Sequence, residues 1–134
     1  MLSTSSSPEF KVGQTWSYKT RPQDPLDSTF TIFKIDEETG EQLHNHQILH
    51  LRIDRVRMNS KKIQVQHMPF TRESLEESVV QLLKEEPTLK LDDEGFLGSY
   101  NNWKKESEEG KAGAWTMTIE KALDVLEKAM FNNN

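Results

Sequence analysis

The sequence predicts an α+β domain: a curved, four-stranded antiparallel meander, open or partly closed into a barrel, followed by two to three helices packed on one side. Three observations carry this. Apolar and polar residues alternate through the first half of the chain, apolar residues recur at helical spacing through the second, and Gly, Pro, Asn and Asp cluster at the breaks between segments.

The strands come first. In "FKVGQTWSYKT", Phe10, Val12, Trp16 and Tyr18 share one parity and so line one face of a pleated strand. "RPQDPLDS" interrupts with two prolines and short polar residues, which is loop chemistry. In "TFTIFKI", Phe30 and Ile32 take one parity while Phe33 and Ile35 take the other, so both faces carry apolar groups or a bulge switches them. "DEETGEQ" is a turn around Gly40. "HQILHLRIDRV" and "KKIQVQHM", joined by "RMNS", are the third and fourth strands.

The second half reads as helices. "FTRESLEESVVQLLKEE" sets Leu75, Val79, Leu82 and Leu83 on one stripe behind Thr71 as N-cap, and Pro87 ends it. "SYNNWKKESEEG" is a short helix capped by Ser99, with Tyr100 and Trp103 one turn apart and Gly110 closing it. "AWTM" is a short extended piece before Thr118. The last helix, "IEKALDVLEKAMF", carries Ile119, Ala122, Leu123, Leu126 and Met130 on one face.

With 134 residues the chain suits a single domain, here residues 10–131, with residues 1–9 and 132–134 as solvated tails. The absence of cysteine removes disulfides, thiolate metal sites and cysteine nucleophiles. No apolar run is long enough to span a membrane. The opening residues lack the pattern of a secretory signal, so the expected compartment is the cytoplasm. The net charge of −5 divides unevenly, +1 over residues 1–67 and −6 over residues 68–134. Arg52, Arg55, Arg57, Lys61 and Lys62 face only Asp54 in their stretch, a basic strip that suits an acidic partner.

Three of the four histidines crowd "HNHQILH", and strand parity puts His44, His46 and His50 together, opposite Leu49, Leu51 and Ile53. If the leucines face the core, the histidines look outward with Arg52. His44 and His46 are close enough to share a zinc ion, but the spacing supplies neither a third nor a fourth ligand, so no metal is assigned to them. His67 shares parity with Ile63 and Val65 and is expected on the core side, at its strand end. There it is the one candidate acid or base, in a pocket mouth with Trp16, Tyr18 and Arg52. No phosphate loop, nucleophile elbow or calcium loop is present, the carboxylate pairs are placed for solvation, and no cofactor is implied. The acidic whole weighs against nucleic acid.

The opening Gly13-x-x-Trp16-x-Tyr18 and the segment Gly110-x-Ala112-Gly113-x-Trp115-Thr116 before the last helix resemble those of small uncharacterised bacterial single-domain proteins. The resemblance implies a bacterial source and one domain, and it carries no catalytic residues. The reading expected from the sequence is a non-catalytic binding or interaction protein of the bacterial cytoplasm, adaptor- or immunity-like, that meets a protein partner or a second copy of itself. A small-ligand binder or enzyme using His67 is the alternative.

Overall fold

A computed structural model describes residues 8–37, 47–88, 93–111 and 113–131. Five strands, β1 (Gln14–Tyr18), β2 (Thr29–Glu37), β3 (Gln47–Met58), β4 (Lys61–Thr71) and β5 (Val79–Glu85), form one open antiparallel sheet in the order β4-β3-β2-β1-β5. Three helices accompany it: α1 (Arg72–Ser78), α2 (Glu94–Glu108) and α3 (Ile119–Phe131). The α+β class and the four-strand meander are as the sequence predicts. The sheet stays open rather than closing into a barrel, and the fifth strand and the placement of the helices differ from that reading.

β5 occupies residues expected to be helix. The helix capped by Thr71, whose hydroxyl accepts from the Ser74 amide, stops after seven residues. Leu75 is fully buried, but Leu82 and Leu83 are exposed, so the anticipated stripe does not exist as a helical face. Val79 and Val80 favour extended backbone, and the β1 edge offers a ladder to pair with. Ser78 secures the switch: its carbonyl accepts from Lys19, and its hydroxyl donates to the Ser74 carbonyl. That hydroxyl also accepts from the first amide of α3, Ile119, so the start of α3 is capped by Ser78 while the Thr118 hydroxyl is buried without a partner.

The helices divide between the two faces of the sheet rather than sharing one. On the first face, Trp16, Phe30, Leu49, Leu51, Ile53 and Phe70 meet Leu75 of α1 and Ile119, Ala122 and Leu123 of α3. On the second, Phe33 and Ile48 meet Phe96, Tyr100 and Trp103 of α2. Residues 48 and 49 adjoin in β3 yet enter different cores, as the pleat requires of a sheet covered on both sides.

Helix α2 begins earlier than the sequence suggests. Asp93, not Ser99, is its cap and accepts from the Phe96 amide at 3.1 Å. At the other end the Lys111 amide bonds Glu106 and the Gly110 amide bonds Ser107, the paired closure that a glycine at φ +76° permits. Gly13 has a comparable reason to exist. At φ +96° it bonds Ile32 through its amide and Glu86 through its carbonyl, and a Cβ there would lie 2.1 Å from the Glu86 oxygen.

Candidate functional site

Both histidines the structure describes lie on the second face, under α2. His50 follows Ile48 inward and is completely buried, against the expectation that it looks outward. The leucine side of β3 is indeed core, but α2 makes the opposite side a second core. His67 also departs from its expected side. Ile53 pairs with Val65 and Leu51 with Met68, so β4 carries one more residue than β3 between those pairs. The bulge reverses the parity. Met68 takes the first-face position, Ile63 and Val65 still pack on the first-face core, and His67 turns to the second face beside His50.

The pair forms a polar chain inside an aromatic shell. His50 Nδ1 and His67 Nε2 are 2.9 Å apart, with their rings nearly parallel. His50 Nε2 lies 3.0 Å from Asp36 Oδ2, a close polar contact rather than a straight hydrogen bond. The same oxygen accepts from the Tyr100 hydroxyl at 2.9 Å, and Lys104 approaches the other at 3.5 Å. Tyr100 and Trp103 stand edge-on to the His50 ring, and Phe96 edge-on to His67. Burial first, and then the neighbouring His67, push the His50 imidazole down to about 3, while burial alone takes His67 to about 4. Both are neutral at pH 7.

Proton positions follow from the contacts. A lone pair on His50 Nε2 would oppose the carboxylate oxygens, so the proton sits on Nε2 and Nδ1 is the acceptor. His67 Nε2–H then donates to it, which leaves His67 Nδ1 as the unprotonated nitrogen at the end of the chain. Asp36, His50 and His67 are in line rather than convergent. Among the described residues no three His, Asp or Glu side chains are grouped to hold a metal ion. His44 and His46 lie outside the described residues.

The rest of the second face, beyond α2, is a polar hollow of about 400 Å³. Thr15, Thr29 and Thr31 form its floor, with the Thr15 and Thr31 hydroxyls 3.0 Å apart. Arg52 lies across the Phe33 ring and reaches Asp54 at 3.4 Å and Asp93 at 3.5 Å. Arg55 is the irregular residue. Its φ of +64° falls where the β3–β4 ladder shifts between Ile53 and Val56, and its guanidinium donates to the Asp27 carbonyl and the Thr29 hydroxyl. A second hollow of about 280 Å³, lined by Lys62 and Gln64, shares Asp54 and Arg55 with the first. Arg57 and Lys62 are cross-strand neighbours just beyond, before the tight turn at Asn59 and Ser60.

The four residues expected around one pocket mouth are therefore not together. Trp16 and Tyr18 are core residues of the first face: the Trp16 indole donates to Gln14, and the Tyr18 hydroxyl, pushed up to about 12 by burial, pairs with Ser28 at 2.7 Å. Arg52 and His67 lie across the sheet from them, and they line different hollows. The basic strip does assemble, with Arg52, Arg55 and Lys62 around adjoining hollows, while Lys61 pairs with Met58 at the hairpin end. Asp36 and Tyr100 are the members that sequence reasoning missed. The available signal was the apolar character of both parities in "TFTIFKI", which fits a sheet covered on two sides. No protein-family model, curated protein or solved structure matches the chain.

Proposed function

We propose that this is a non-catalytic binding protein whose second sheet face, beyond α2, takes an acidic segment of a protein partner. The observation that carries the proposal is Arg55. A bulky residue at positive φ is strained by about 1–3 kcal/mol, and such strain persists where the surroundings fix it for a purpose. Here it aims a guanidinium over a floor of threonine hydroxyls. Charge supports the reading. Asp54 and Asp93 are paired with Arg52, Asp27 with Arg55 at 3.5 Å and Glu86 with Lys84, whereas Arg57 and Lys62 extend the cationic side toward the hairpin. Carboxylates of a partner would compete with Asp27, Asp54 and Asp93 for the guanidinium groups of Arg52 and Arg55, whose planar donor edges suit carboxylates. An adaptor- or immunity-like role in the bacterial cytoplasm belongs to the same proposal and rests on the sequence expectation and the resemblance.

The test is an affinity series with a fluorescent Asp/Glu-rich peptide and a Lys-rich control. The proposal expects the acidic peptide to bind, to weaken as salt rises, and to lose about five-fold or more in affinity with Arg55→Ala. Equal binding of both peptides, or indifference to Arg52→Ala and Arg55→Ala together, contradicts it.

A further inference from the structure

A third hollow, a cleft of about 380 Å³, opens along the outer edge of β4, between Ser99 of α2 and Leu126 and Met130 of α3. It adjoins the hollow at Lys62 through Ile63 and Gln64 but differs from it in chemistry. Ile63, Val65 and Trp115 give it apolar walls, and among the described residues its polar lining is Gln64, Gln66, Ser99 and His67, with no formal charge. β4 is an edge strand, and beyond the point where Trp115 bonds Pro69 and Thr71 no described strand covers it. The size lies at the lower end of small-molecule sites, which are mostly apolar with a few placed polar groups.

His67 supplies the placed group. Its Nε2 is engaged by His50, and the Asp36 contact fixes which nitrogen of each ring carries the proton. Its Nδ1 has no hydrogen-bond partner among the described residues. An acceptor held in one tautomer at the rim of an uncharged, apolar cleft selects a neutral ligand with one donor. A charged ligand would lose hydration there without a counter-charge. We propose that this cleft binds an uncharged, largely apolar small molecule bearing a single N–H or O–H donor, of the indole or phenol kind, with His67 Nδ1 accepting that donor. The low proton affinity of His67 keeps this nitrogen free at neutral pH.

The experiment compares indole with 1-methylindole, which has the same aromatic body and no donor, by following the Trp115 indole N–H and His67 ring resonances of the intact protein at pH 7.5. The proposal expects both probes to shift Trp115, with indole binding about five-fold or more tightly, the worth of one hydrogen bond in a partly dry site. His67→Phe, which keeps an aromatic ring, is expected to abolish the discrimination while 1-methylindole still binds. Equal affinities for the two probes in the unsubstituted protein overturn the proposal whatever the variant does, and so does the absence of any shift at Trp115 up to the solubility limit of indole.

Discussion

His50 Nδ1 and His67 Nε2 lie 2.9 Å apart beneath α2, the second bonded pair in a line that starts at the Tyr100 hydroxyl and Asp36. A consequence is acid sensitivity. Both imidazoles are driven below their ordinary value of 6.5, to about 3 and about 4, so the unfolded chain takes up protons that the folded one refuses. Stability contributed by the neutral pair is complete above about pH 7 and is lost as pH falls from about 6.5 toward 3, by up to about 1.4 kcal/mol per pH unit for the buried His50 and by less for the partly exposed His67, where solvent screens the charge. Urea unfolding at pH 7.5, 6 and 5 measures it. The same unfolding free energy at all three would show that the pair is not buried as described.

Arg21 is a second buried polar centre, with a structural part to play. Its guanidinium binds Asp24 at 2.7 Å, Asp124 at 3.1 Å, Glu127 at 2.9 Å and the Arg57 carbonyl at 2.8 Å. It thereby ties the β1–β2 loop to the β3–β4 hairpin and to α3. Arg21→Met removes the cation and leaves Asp24 buried without it. The expected loss is about 3–5 kcal/mol in equilibrium unfolding, against little change for the exposed pair Lys11–Glu9.

Gly13→Ala tests the backbone at the entry to β1. The substitution meets positive φ and the Glu86 carbonyl at once, so the β1–β5 edge must shift. A cost of about 1–3 kcal/mol is expected, visible as a lower melting temperature and as faster amide exchange at Glu86, whose amide bonds Gly13. Gly98→Ala, with open space around it in α2, serves as the contrast and is expected to be neutral or stabilising.

Much of this fold is legible in the residues. Alternation in β1 to β4, the Thr71 cap, the Gly110 stop and the apolar face of α3 are local signals, and local interactions decide them. Two features were not legible, for physical reasons. The stretch Val79–Glu85 fits a helical stripe as well as it fits a strand, and the free β1 edge decides between them, which no window of sequence contains. The bulge before Met68 moves His67 to the other face by a single residue, and parity arguments fail wherever a bulge intervenes. The basic residues come near one another because they lie on the two arms of one hairpin, with Arg57 opposite Lys62. Trp16 and Tyr18 do not group with His67, because they line the first face while the bulge turns His67 to the second.

The most direct test of the proposed binding face is the amide and side-chain chemical-shift footprint of the acidic peptide on the isotope-labelled protein. The account predicts that shifts concentrate at Thr15, Thr29, Thr31, Arg52 and Arg55 and fade toward α3 and the His67 cleft. A footprint centred on α3 or on the outer edge of β4, with those five residues unmoved, would contradict it.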